Sequence, residues 1–243
     1  MCALLDEVLD AHGGAERWAA ARRIRCRARS AGLLLRTRAP GNRMADVGIE
    51  VAVGDPWWAA APFPGPGRRG VFEHGEARIE SDDGDVLEAR ADPRPLFFGR
   101  SGLRRNLRWD SLDLVYFAGY AWWNYLNAPH LLTRSGVEVH EIEPWRNEDV
   151  TWRRLEARFP ADLDTHSQRQ VFYYDGESML RRHDYTAEVV GGWARVAHLS
   201  SDHRSVGGLA FPTRRRVLPL GPGNRPLPAP TLVSLRVSEL EVE

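Results

Sequence analysis

The sequence predicts an α+β domain that is mainly antiparallel β, a strongly curved sheet or open β-barrel forming a cup around one aromatic-rich helix. Three observations predict it. Asp110 to Leu132, DSLDLVYFAGYAWWNYLNAPHLL, shows a helical period with a defined start and stop. Nearly everything around it reads as short strands punctuated by turn residues. Those strands follow one another directly, which leaves no room for βαβ units and a parallel sheet.

The helix comes first because the rest is arranged about it. Asp110 or Ser111 can cap its start, and Asp113 suits the positive end of the first turn. Pro129 ends it at Asn127 or Ala128. Steps of three and four put Leu112, Val115, Tyr116, Gly119, Tyr120, Trp123 and Leu126 on one face. Leu114, Phe117, Ala118, Ala121, Trp122 and Tyr125 cover the other. A helix apolar nearly all round is expected to be enclosed, and its roughly 17 residues with acids at the start make a marginal membrane span.

Ahead of it, Ala3 to Ile24 reads as a helix interrupted at Gly13-Gly14. Candidate strands follow at Arg25–Leu35 and Arg43–Val53, the second with apolar residues alternating from Val47. Pro56 to Arg69 is rich in Pro and Gly and reads as an ordered aromatic loop. Gly70–Ile79 and Asp85–Ala91 form a predicted hairpin across Ser81-Asp82-Asp83-Gly84. After the helix a meander is expected, with strands at 137–142, 150–159, 167–174, 179–190, 194–200, 208–218 and 231–241. No internal repeat or convincing boundary divides the chain, so residues 1–243 read as one domain.

Composition excludes several function classes. The 33 basic residues balance 33 acidic ones, which removes the electrostatic case for nucleic acid or an anionic membrane surface. All the basic residues are arginine. Without lysine there is no Schiff base, P-loop lysine or lysine general base. The N-terminal MCALLDEVLDAHGG carries Asp6, Glu7 and Asp10 where an export signal needs an apolar run, so a cytoplasmic location is expected. Two lone cysteines, Cys2 and Cys26, suggest neither a disulfide framework nor a zinc site.

Four runs carry a resemblance to known proteins: AHGGAERW, WNYLNAPHLL, the block EIEPWRNEDVTWRRLEARFPADLDTHSQRQVFYYD with LRRHDYTAEVVGG, and FPTRRRV. They span most of the chain after Trp109 and its first helix. In them the chain resembles the LolA/LppX-like lipoprotein-carrier fold, and more specifically a family of soluble bacterial proteins of about 250 residues without a settled function. The resemblance implies an open β-cup holding an apolar ligand of acyl, polyketide or isoprenoid type. LolA and LppX proteins work in the cell envelope, and the missing export signal departs from that pattern.

Candidate chemistry centres on Arg181-Arg182-His183-Asp184-Tyr185. Strand alternation puts His183 and Tyr185 on one face and Arg182 and Asp184 on the other. His183 beside Tyr185 can shuttle a proton, or can be a core histidine bonded to a side chain of the next strand with Tyr185 as packing. On the adjoining strand His166, Gln168, Gln170 and Phe172 share one face, and Arg169, Val171 and Tyr173 the other. The catalytic candidates are therefore His183, Tyr185 and His166. Arg169 inside a cavity would need an anion such as Asp184, Glu156 or a ligand carboxylate, and otherwise makes a surface salt bridge. The aromatic binding candidates are Trp58, Phe97, Phe98, Trp122, Trp123, Tyr125, Trp145 and Tyr173, which either line a cup or fill the core. GxSxG, HExxH and GxGxxG motifs are absent, so hydrolase, metal and dinucleotide chemistry have no support and no cofactor is expected. Two functions follow: binding of a hydrophobic small molecule, or a cofactor-independent natural-product cyclase or isomerase using the same cavity.

Overall fold

The structure is a computed structural model describing residues 2–41, 44–147 and 150–243. Its helices are α1 (Ala3–Ala11), α2 (Ala15–Ala20), α3 (Leu33–Arg38), α4 (Gly99–Arg105) and α5 (Ser111–Asn127). The strands before α5 are β1 (Arg23–Ala31), β2 (Val47–Ala52), β3 (Trp57–Ala61), β4 (Arg68–Glu73), β5 (Glu76–Ser81) and β6 (Val86–Arg90). Those after it are β7 (Glu138–Asn147), β8 (Val150–Arg158), β9 (Arg169–Tyr174), β10 (Leu180–Thr186), β11 (Arg195–Val206), β12 (Leu209–Pro219) and β13 (Val233–Val242).

All thirteen strands pair in one sheet, in the order β6-β5-β4-β3-β2-β1-β13-β12-β11-β10-β9-β8-β7. Each pairing is antiparallel, so two meanders are joined through the first and last strands. The edges are β6 and β7, and pairing leaves the sheet open rather than closing it into a barrel. The connection from β6 to β7 carries α4 and α5.

The helix starts and stops where its sequence requires. The Asp110 carboxylate accepts the Asp113 backbone N–H at 2.8 Å, and the Asp113 carboxylate accepts that of Asp110 at 3.2 Å. Asp113, fully buried, is neutralised by Arg90 at 2.7 Å, Arg104 at 2.9 Å and Arg105 at 2.7 Å. At the other end Ala128 turns extended, and Pro129 has no N–H to continue the ladder. Every α5 residue from Leu112 to Asn127 is buried.

The face through Val115, Gly119 and Trp123 lies on β2–β5. A β-carbon at Gly119 would come within 2.2 Å of Phe72, and one at Gly70 within 2.7 Å of Val115, so missing side chains set the close approach. The Trp123 indole donates to the Ala52 carbonyl at 3.2 Å. The same helix reaches across to β10 and β12 through Tyr125. Helix α5 therefore touches strands from both halves of the sheet order.

The sequence expectation differs from the structure mainly before Trp109. The predicted strand 25–35 ends at Ala31, because Gly32 sits at φ 125° hard against the Leu232 carbonyl, and Leu33–Arg38 coil into α3. The predicted start of the next strand, Arg43, lies outside the described residues. The supposed aromatic loop contains β3, whose Trp57–Ala61 pairs with both β2 and β4 before the prolines begin. Gly70–Ile79 is itself a hairpin, turning at His74-Gly75. No helix is long and apolar enough to cross a membrane among the described residues.

Candidate functional site

The second α5 face, Leu114, Phe117, Ala118, Ala121, Trp122 and Tyr125, meets the sheet through Tyr125, which contacts Tyr185 and His198. It forms one wall of a cavity of about 330 Å³. The opposite walls come from α3 and from β10 to β13, including Tyr185, Val196, Val217, Val233 and Leu235. Alternation along those strands sends Val196, Val217, Val233 and Leu235 inward, and the wall is aliphatic and aromatic for the same reason the strands are amphipathic. The cavity opens between α3 and the segment before β11, where Trp193 is 77% exposed.

At the inner end α5, the loop before β9, and the strands β10 and β11 bring polar rings together. The Tyr125 hydroxyl lies 2.7 Å from His166 Nε2 and 3.0 Å from the Tyr185 hydroxyl. Tyr120 approaches His166 Nδ1 at 3.3 Å, and Tyr185 approaches His198 Nδ1 at 3.5 Å. The His166 and Tyr185 rings stack with centroids 3.9 Å apart. Burial, helped by the charge of Arg94, pushes the His166 pKa down to about 3, so the imidazole is neutral at physiological pH. Burial likewise holds the tyrosines 125 and 185 above the ordinary phenol range. The chain of groups is therefore uncharged, and Tyr125 joins His166 to Tyr185, while His198 Nε2 is left without a partner among the described residues.

His183 sits one step behind this wall. Its ring stacks on Phe172 at 4.1 Å and its Nε2 bonds the Gln170 side-chain oxygen. It shares a face with Tyr185, as alternation predicts, but does not line the cavity. Arg215, also on that face, is buried without a carboxylate partner among the described residues. It donates to the Tyr125 carbonyl at 2.8 Å, placing its charge at the negative end of α5. Burial lowers its pKa to about 10, so it stays protonated at neutral pH.

Of the catalytic candidates, His166 and Tyr185 reach the cavity and His183 does not. Of the binding candidates, Trp122 and Tyr125 reach it. Trp58 and Trp123 are on the far side of α5, packed with β2 to β4, because the helix presents them on the opposite face. Phe97 packs against Tyr116 and Trp109, and Phe98 is 43% exposed outside the cavity. Trp145 and Tyr173 belong to the outer sheet face. Trp145 stacks on Trp152, and Tyr173 donates to Asp184 at 2.7 Å beneath the Arg182 guanidinium. Arg169 is 74% exposed and paired with Glu156, the surface salt bridge rather than a cavity cation. Asp184 instead holds Arg182 at 2.6 and 2.7 Å.

Sequence reasoning missed the α3 leucines and Trp193. The run Leu33-Leu34-Leu35 broke strand alternation, and the exposed Trp193 followed Gly191-Gly192; both signals were present.

No protein-family model matches the chain, and no curated protein does. Solved structures do match its fold. A DUF1329 family protein from Desulfovibrio piger has a TM-score of 0.53 at 12% identity, covering 99% of this chain and 92% of its own. A LolA superfamily protein from Nitrosomonas europaea has a TM-score of 0.51 at 10% identity, covering 98% and 92%. On an antiparallel sheet, a buried helix and these two likenesses, the chain has a LolA-like fold.

Proposed function

We propose that this chain binds a hydrophobic small molecule in the cavity between α3, α5 and β10–β13. Sheet and helix then act as a cup with α5 at its centre. The observation that carries the reading is the cavity itself. It is about 330 Å³ in volume, within the roughly 300–1,000 Å³ usual for ligand sites, with a wall that is mostly apolar and no Asp or Glu in it. A void of that size in a core otherwise well filled costs stability unless something occupies it.

Native mass spectrometry of the purified chain, with displacement of an apolar fluorophore, tests this. The wild type is expected to carry or take up a ligand of acyl, polyketide or isoprenoid size. Ala121→Trp, which places an indole in the void, is expected to abolish uptake without lowering the melting temperature. Uptake undiminished in that variant would refute the assignment of the cavity.

A second reading is favoured by the polar rings on the wall. His166 and Tyr185 would assist a cofactor-independent cyclisation or isomerisation of the bound molecule. Against it, an imidazole held neutral down to about pH 3 is a weak base. Under this reading His166→Asn and Tyr185→Phe retain ligand uptake and lose conversion of the ligand. A bound ligand recovered unchanged from the wild type removes it.

A further inference from the structure

The cavity is charged at its mouth and nowhere else. Its inner residues Tyr125, His166 and Tyr185 are at most 6% exposed and bond to one another, while its outer residues include the guanidinium-bearing Arg38 and Arg195. No carboxylate lines any part of it. Other arginines withdrawn from water have partners: Arg78 has Glu73, Arg90 has Asp110, Arg94 has Glu188 and Arg105 has Asp113, while Arg134, Arg154 and Arg215 donate to backbone carbonyls. Arg38, at the last turn of α3, is half-buried and has no carboxylate partner among the described residues. Burial lowers its pKa with no acid opposing the effect. A partly desolvated guanidinium facing an apolar hollow is costly until an anion reaches it.

We propose that the ligand is an anionic amphiphile, its carboxylate or phosphate-ester head held at the mouth by Arg38 and its apolar tail inserted between α5 and the strands. This rests on the binding reading above and adds the head group and its orientation. Arg38 supplies the planar fork that matches either oxyanion in two parallel hydrogen bonds. Arg195, at the start of β11 beside Trp193, adds positive potential at the same rim. At the inner end Tyr125 bonds both His166 and Tyr185, and Arg215 behind them donates to the Tyr125 carbonyl without lining the cavity, so among the described residues the free cation available to a head group is at the mouth.

The test compares dodecanoate, dodecyl phosphate and dodecanol, one tail under three heads, by displacement of an apolar fluorophore from the full chain at pH 7.5 and low salt. One or both anionic ligands are expected to bind about tenfold more tightly than the alcohol, the size of a charge-assisted hydrogen bond. Whichever is tighter identifies the head. In Arg38→Gln that advantage is expected to vanish while dodecanol affinity is unchanged, with the circular dichroism spectrum confirming the fold. Dodecanol binding as tightly as both anions, or an anionic advantage that survives in the Arg38→Gln/Arg195→Gln double variant, overturns the head-group assignment and leaves the cavity assignment standing. Failure of all three to bind overturns both.

Discussion

Acid is expected to unfold this protein earlier than its carboxylates would suggest, because its core holds histidines in the neutral form. His166 and His130 are 1% and 5% exposed, and burial pushes their pKa values down from 6.5 to about 3 and about 4. In the unfolded chain both titrate near 6.5, so between pH 6.5 and about 4 the unfolded state binds more protons and stability rises with pH. The stabilisation is fully present above pH 6.5 and is lost as pH falls through this window. At pH 5.5, one unit below the unfolded value, each such imidazole has forfeited about 1.4 kcal/mol, so the pair together lose about 3 kcal/mol relative to pH 7.5. His183 and His198, 4% and 0% exposed, are shifted downward by the same cause and add to the loss. Against a total of about 5–15 kcal/mol, that is a large fraction. Urea unfolding at pH 7.5, 6.5 and 5.5 measures it, with a constant slope confirming that the transition is unchanged. A stability that moves by less than about 1 kcal/mol over that range, or imidazole resonances of His166 titrating above pH 6 in the folded chain, would refute the reasoning.

Three further outcomes are expected. Gly119→Ala raises helix propensity by about 1 kcal/mol but forces its methyl into Phe72, and a net loss of about 1–3 kcal/mol is expected from thermal unfolding; co-substitution Phe72→Leu should recover part of it. Asp110→Ala removes the cap and leaves Arg90 and Arg104 short of a carboxylate, and its unfolding free energy should fall by about 1–2 kcal/mol. Arg169→Ala, by contrast, breaks only an exposed pair, and a change beyond about 0.5 kcal/mol in the same assay would contradict its surface placement.

Two kinds of information in the chain have different reach. Local chemistry is written in order along it. Asp110 with Asp113, and Pro129, bound α5 to the residue, since capping and a missing N–H act within one turn. The seven strands after α5 were legible because Gly, Asp and Pro turns interrupt alternating residues at short intervals. The two faces of α5 were also legible, and even which aromatics share them. The stretch before Trp109 was harder, because there a backbone collision decided the outcome. Gly32 meets Leu232, two hundred residues away in sequence, and the strand becomes α3 at that point.

Sequence by itself therefore determined the mainly antiparallel β class, the burial of α5 and the face shared by His183 and Tyr185, though not a barrel. Tertiary structure alone decided which α5 face packs on β2–β5 and which lines the cavity. It also decided that His166 rather than His183 reaches the void, and that Trp145, Tyr173 and Arg169 are turned away from it. The physical reason is that periodicity assigns a side chain to a face of its own element, whereas a cavity exists only where faces of distant elements fail to touch. That failure is set by where α3, α5 and the strands β10 to β13 are brought together, which no one of those segments encodes alone.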